Sequence, residues 1–367
     1  MSLILDGSNG ITFPNSSTQA VGFYGFKNRI INGAMVIDQR NAGASVTPTN
    51  GQYLVDRFQA GLTQASKFSA QQNAGSVTPP VGFTKYLGIT SLSAYSVGSG
   101  DLFNIGQRIE GFNTADLGWG TANAKTVTLS FWVYSSLTGT FGGVLGNNTG
   151  TRSYPYSYTI SATNTWQQIS VTIAGDTTGT WDTSNAIGIN VLWGLGVGST
   201  YSATAGSWAA GNYVSATGAT SVVGTNGATF YITGVQLEVG STATSFDYRP
   251  YGTELALCQR YCQVFGSGAG AYENFGMGMT TSTTNSNVFF PLVVSMRTQP
   301  TLTTTGSFRV ADFVNYSTSA TLGINTDYSG VTAVTFACTS SGLTSQRFAF
   351  LQASNDTTAR VKLSAEL

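Results

Sequence analysis

The sequence predicts an all-β protein: a jelly-roll-like β-sandwich followed by a smaller C-terminal β domain, joined by a short helix and preceded by an extended N-terminal segment. Two observations carry that prediction. Apolar and polar residues alternate with period two in segment after segment, as in strands that bury one face. Only 9% of the 367 residues are charged, while 41% are hydrophobic and 12% aromatic. Such a chain can bury cores, which argues against disorder, but its surface must be built from Ser, Thr, Asn, Gln and Gly. At this length two domains plus a terminal segment are expected.

Residues 1–27 are short apolar pieces, Leu3-Ile4-Leu5 and Ile11-Thr12-Phe13, split by the turn pairs Asp6-Gly7 and Asn9-Gly10. They are too short to close a core alone, so Ile11 and Phe13 are candidates for contacts between chains; the alternative is a floppy leader. Residues 28–252 form the sandwich. Its clearest strands are 126–134, with Val127, Leu129, Phe131 and Val133 in phase, then 166–173 and 186–193. Across 228–239 the alternation slips by one at Gly234, which predicts a β-bulge. A Gly/Ser/Ala/Thr-rich stretch from Gly194 to Gly227 reads as a long inserted loop, functional or disordered.

Residues 253–265 read as a linker helix, with Thr253 as cap and Glu254 at the positive end of the helix dipole. Leu255, Cys258, Cys262 and Phe265 fall on one stripe, with Leu257, Tyr261 and Val264 beside it. One stripe can pack on its own domain and the other on a second copy, which makes the first four oligomerisation candidates; a helix buried inside one chain is the alternative. Residues 266–367 form the second β domain, with alternation at Val288 to Met296, Val334 to Cys338, Phe348 and Phe350, and Val361 and Leu363.

Three separated runs, NRIINGAMVIDQRNAG at 28–43, YLVDRFQ at 53–59 and TATSFDYRPYGTELALCQRYCQVF at 242–265, resemble bacteriophage and prophage tail-fibre (receptor-binding) proteins, in which a carbohydrate-binding-module-like sandwich hands over to a tip domain. GSNGITFPNSSTQ at 7–19 and FPLVVSMRTQPTLT at 290–303 are similar to the base and tip of such fibres. The resemblance implies a homotrimer on the virion surface, on the tail, attached to a tail or baseplate protein through residues 1–27. It implies binding to a host cell-surface glycan and synthesis in the bacterial cytoplasm, where Cys258, Cys262 and Cys338 stay reduced. It also implies that the last sandwich strand closes beside the opening segment.

The absence of histidine excludes Ser-His-Asp and Cys-His catalysis and His-based metal sites. No phosphate-binding glycine motif occurs, a net charge of zero favours no nucleic acid, and no apolar run reaches membrane-spanning length. No cofactor is expected. A structural calcium is left unassigned, with Asp56 and Asp247 as the carboxylates that would adjoin. A hydrolase would need two carboxylates across a glycosidic bond, and Glu110, Asp116, Asp176, Asp182 and Glu238 are scattered in sequence.

Sugar binding needs aromatic faces with short amides around them. Trp193, Tyr201, Trp208 and Tyr213, with Asn190 and Asn212 nearby, are carbohydrate-binding candidates on the sandwich, and Tyr154, Tyr156 and Tyr158 alternate on another strand. Tyr272, Phe275, Tyr316 and Tyr328 are the candidates on the tip, which a fibre held at its N-terminus would present first. The expectation is a non-catalytic trimeric adhesin; the rivals are a capsid or tail decoration or adaptor protein, and a polysaccharide depolymerase.

Overall fold

The computed structural model describes residues 26–266, 268–317 and 319–367, and ahead of them the backbone of three short strands, Ile4–Asp6, Gly10–Thr12 and Thr18–Gln19. These strands pair antiparallel, with Leu5 opposite Ile11 and Ile11 opposite Gln19. The side chain of Ile11, and Phe13 altogether, lie outside the described residues.

Two antiparallel sheets form the sandwich. One has six strands in the order Ser153–Ile160, Gly139–Gly146, Ile187–Val197, Leu102–Glu110, Phe58–Leu62 and Tyr53–Val55; the other has five, in the order Gln167–Ile173, Val127–Ser135, Thr229–Val239, Leu87–Ser91 and Phe68–Gln72. Val127, Leu129, Phe131 and Val133 are fully buried, as their spacing predicts, and share one core with Phe103, Ile105, Ile189, Val191 and Trp193 of the facing sheet. Trp193 sits between Phe131 and Phe58, with ring centroids 5.6 and 6.4 Å away. The bulge falls where the slip in phase places it: pairing with the Val127–Ser135 strand shifts between Thr233 and Gln236, and Gly234 takes φ +61°, a conformation costly for other residues. The opening segment lies beside this last strand, with Arg29 N donating to Leu237 O and Val235 N to Gly33 O, both at 2.9 Å.

The stretch 194–227 is ordered. The strand Ile187–Val197 runs four residues beyond Trp193, Ser202–Ala203 pairs parallel with Ser215–Ala216, and Val222 and Val223 are buried against the core. Its small residues let backbone lie flat on the sheet. A Cβ on Gly142 would come 2.6 Å from the Ser215 hydroxyl, and one on Gly194 2.7 Å from it.

The C-terminal domain has a six-stranded sheet in the order Phe308–Ala311, Phe348–Ala353, Asn274–Thr280, Asn285–Pro291, Ala333–Thr339 and Thr321–Ile324, and a three-stranded one of Cys262–Phe265, Arg360–Ser364 and Thr301–Thr305. Two expectations change here. The alternation from Val288 to Met296 is not one strand, because pairing stops at Pro291. Phe348 and Phe350 point outward, since Ala349, Leu351 and Ala353 hold the buried face; they pack instead around Phe313, at 6.1 and 5.2 Å.

The helix is Tyr251–Gln259, not 253–265, and Cys262–Phe265 is a strand paired with Arg360–Ser364. Tyr261, Cys262, Val264 and Phe265 are poor helix formers with high strand preference, and a sheet edge is waiting for them. Pro250, not Thr253, stands at the N-cap, and the Glu254 carboxylate accepts from Asn32 N and Arg249 instead of lying free at the dipole. The proposed contact stripe dissolves accordingly. Cys258 and Cys262 are 0% exposed within one chain, Leu255 packs with Cys258 on Ile31 and Ile37, and Phe265 packs on Phe290 at 4.5 Å. Cys258 and Cys262 therefore offer nothing to a second copy.

The two domains meet across buried charge. Arg260 makes a two-pronged contact with Glu110 (3.0 and 2.6 Å), whose Oε2 also accepts from the Tyr261 hydroxyl at 2.6 Å. Arg57 pairs with Glu366 and stacks on the Tyr261 ring, 3.5 Å from its centroid. Arg40 pairs with the other Glu366 oxygen at 2.5 Å, and Arg297 Nη1 donates to Asn185 O at 2.7 Å.

Candidate functional site

The outer face of the six-stranded sheet carries a cleft of about 320 Å³. Strand alternation builds its floor. The side chains that alternate with the core residues Ile189, Val191 and Trp193 are Asn190 and Leu192, and those alternating with Phe103, Ile105 and Ile109 include Asn104 and Arg108. Register then aligns them across strands. Gly146, Asn190 and Arg108 form one row, and Val144, Leu192, Gly106 and Gln59 the next. Three turns wall the floor: Asn50-Gly51, Asn147–Gly150, and Asn212-Tyr213 from the ordered stretch 194–227.

The walls are braced by their own hydrogen bonds. Asn147 Oδ1 accepts from Thr151 N and Arg152 N (3.0 and 3.1 Å), its Nδ2 donates to Thr180 O, and Asn190 Nδ2 donates to Asn147 O. Tyr213 N donates to the Ser153 hydroxyl, which donates to Gly211 O at 2.6 Å. By contrast the side-chain amides of Gln59, Asn104, Asn148 and Asn212, and the Tyr213 hydroxyl, have no hydrogen-bond partner among the described residues. Gln59 and Asn104 are nevertheless 8% and 6% exposed. Such amides supply paired donors and acceptors facing one space, without the charge of a carboxylate. Arg108 lines the cleft as its charged residue, with Nη1 2.5 Å from Leu367 O.

Of the residues singled out from the sequence, the cleft gathers Tyr213, Asn190 and Asn212. Trp193 is fully buried in the core, and Tyr154, Tyr156 and Tyr158 belong to the same core on the inward face of their strand. Trp208 belongs to a packed aromatic group with Trp119, Trp181 and Tyr154, ring centroids 5.3 to 5.4 Å away, and its indole N–H donates to Ala174 O at 2.7 Å; it pins the stretch 194–227 to the sandwich. Tyr201 lies in the turn Ser199–Tyr201, outside the cleft lining. On the tip, Phe275 is core at 2% exposure, Tyr272 and Tyr316 flank the Arg309 guanidinium at 4.3 and 4.6 Å, and Tyr328 is 69% exposed. Gln59, Asn104, Arg108 and Asn148 were not legible as a set, because they come from separate strands and turns that only register brings together.

The scattered carboxylates are engaged elsewhere. Burial would raise the Glu110 pKa, but its hydrogen bonds from Arg260 and Tyr261 outweigh that and hold it below its ordinary value. Asp176 is likewise lowered on balance, against burial, by Arg152 at 2.6 and 2.9 Å. Asp116 pairs with Arg29, Asp182 caps Ser184, and Glu238 accepts from Thr244 N and its hydroxyl. Among the described residues no carboxylate lines the cleft. Asp56 accepts from Gln39 N and Nε2, Asp247 from Lys27 N and Asn28 N, and among the described residues no group of three or more Cys, Asp or Glu is gathered as metal ligands. Burial pushes the Cys262 and Cys338 thiols up to about 12 and holds Cys258 well above its ordinary value, so all three stay protonated. No helix among the described residues is long and apolar enough to cross a membrane.

No protein-family model matches the chain, and no curated protein matches it. Among solved structures it is similar to the enzymatically active domain of tailspike protein 4 of bacteriophage CBA120, at 13% identity over 58% of this chain and 21% of that one, with a TM-score of 0.33. A putative sugar binding protein from Bacteroides thetaiotaomicron matches at 12% identity over 58% of this chain and all of its own, TM-score 0.32. The family 11 carbohydrate-binding module of a Clostridium thermocellum cellulase matches at 12% identity over 55% and 98%, TM-score 0.27. At these values the likeness carries no argument about chemistry, which rests on the cleft itself.

Proposed function

We propose that this chain is a glycan-binding adhesin of a phage tail fibre, that it holds a host surface saccharide in the cleft on the six-stranded sheet, and that it does so without catalysis. The observation that carries this reading is the set of unpartnered amides, Gln59, Asn104, Asn148 and Asn212, together with the Tyr213 hydroxyl, facing one cleft. Saccharide hydroxyls both donate and accept, and an amide is the side chain that answers both. Tyr213 adds an aromatic surface for the apolar face of a ring. Among the described residues the cleft is lined by amides, hydroxyls and one guanidinium, groups suited to holding a glycan.

The phage tail and the homotrimer in this reading rest on the sequence runs at 28–43 and 242–265. Three copies per fibre would multiply weak single-site binding. The test is an array of bacterial surface polysaccharides probed with the full chain, Asn104→Ala and Tyr213→Ala, with light scattering of the same samples. A bound glycan whose affinity falls about five- to tenfold in each variant, on a trimer, is the expected result. Binding untouched by either substitution, or release of reducing ends from the bound glycan, would overturn it.

A further inference from the structure

Beside the amide-lined cleft lies a second pocket, also of about 320 Å³, and Gly51 lines both. Its walls come from the two domains: Arg40 and Tyr53 of the sandwich, Lys362 and Ser364 of the tip strand Arg360–Ser364. Its chemistry differs from that of the cleft. The Arg40 guanidinium lies 4.5 Å over the Tyr53 ring and is paired with Glu366, which also serves Arg57. Lys362 has no carboxylate within ion-pair distance among the described residues. The Tyr53 hydroxyl is buried without a hydrogen-bond partner. Arg40 and Arg57 share Glu366, and Asp56 is already taken by Gln39. Lys362 is thus left without a carboxylate partner, in the pocket that Tyr53 also lines.

We propose that the bound glycan is acidic: one unit occupies the amide-lined cleft, and the carboxylate or phosphate of a neighbouring unit is held by the Lys362 ammonium and the Tyr53 hydroxyl. The inference rests on the glycan-binding reading and narrows its ligand class. An ammonium and a phenol O–H are both donors, and an anionic oxygen is the acceptor that satisfies the two together. Joining the pockets at Gly51 puts neutral and anionic recognition within one extended chain of sugar units.

The experiment is calorimetric titration of the full chain, Lys362→Gln and Tyr53→Phe with four probes: polygalacturonate, its methyl ester, polyglycerol phosphate and dextran. The expected result is that an acidic probe binds more tightly than the ester and dextran, that its affinity falls about tenfold in Lys362→Gln and less in Tyr53→Phe, and that added salt weakens it in the full chain more than in Lys362→Gln. Preference for polygalacturonate assigns the pocket to carboxylates, and preference for polyglycerol phosphate to phosphates. Equal binding of polygalacturonate and its ester with no binding of polyglycerol phosphate, or an unchanged affinity in Lys362→Gln, overturns the inference. If array glycans bind and all of them are neutral, the acidic ligand falls while the glycan-binding reading stands; if no glycan binds, that reading falls too.

Discussion

At the seam between the domains charged side chains are paired, buried Arg57 with Glu366 and half-buried Arg260 with buried Glu110; on the sheet face nearby, the amides of Gln59 and Asn104 are buried almost as deeply as Arg57 and left open. The two regions adjoin along the chain. Gln59 follows Arg57 by two residues, and Arg108 of the cleft floor precedes Glu110 of the seam by two. Burying an ion is tolerable only with a partner in place, so a chain with 9% charged residues that spends several of them at one seam fixes the relation of its domains there. A neutral amide without a partner costs far less, so it can wait for a ligand.

The largest expected effect comes from breaking the seam. Glu366→Ala leaves Arg57, 1% exposed, without its carboxylate, and should cost about 3–5 kcal/mol in denaturant unfolding. Asn104→Ala, on the open side of the comparison, removes an amide with no hydrogen-bond partner among the described residues and should cost less than about 1 kcal/mol. If both variants unfold alike, the seam is not what holds the tip on the sandwich.

What could be read in advance divides along the same line. Alternation located the strands around Phe131, Val191 and Leu237 to within a few residues, because burial of one sheet face is written locally, and the Gly234 bulge was visible as a phase slip. The seam was not visible, since nothing local in Tyr261-Cys262-Gln263 says that Val361–Ser364 will pair with it and turn an expected helix into a strand. Aromatics misled for a related reason. Trp193, Trp208 and Phe275 have the chemistry of sugar platforms, yet each is spent on packing, and the cleft is made of amides from distant segments whose adjacency is set by register alone.

Acid exposes the next difference. Burial raises the Asp56 pKa to about 6, against the pull of Arg40 and the Gln39 hydrogen bonds. A carboxyl whose folded pKa exceeds its unfolded value of 3.8 binds its proton more tightly when folded, so its contribution to stability falls as pH rises from about 4 to 6. Glu110 and Asp176 are lowered and act with the opposite sign, but only below their ordinary values of 4.5 and 3.8. Between about pH 4.5 and 6 the slope attributable to Asp56 approaches −1.4 kcal/mol per pH unit at most. Asp56→Asn should flatten it in unfolding curves taken at half-unit intervals; a slope that survives the substitution belongs to another group.

The smallest expected effect concerns the tip, whose exposed aromatics would meet a surface first on a fibre held at its N-terminus. Tyr272 and Tyr316 hold Arg309 between them, and each such contact at an exposed site is worth about 0.5–1 kcal/mol. Tyr316→Ala should therefore lower stability by less than about 1 kcal/mol and leave glycan affinity where it was, because the pair is already occupied by the guanidinium. An affinity that falls with Tyr316→Ala as far as with Asn104→Ala would mean that the stack opens to admit a sugar, and the contrast between a binding sandwich and a structural tip would give way to two binding surfaces on one chain.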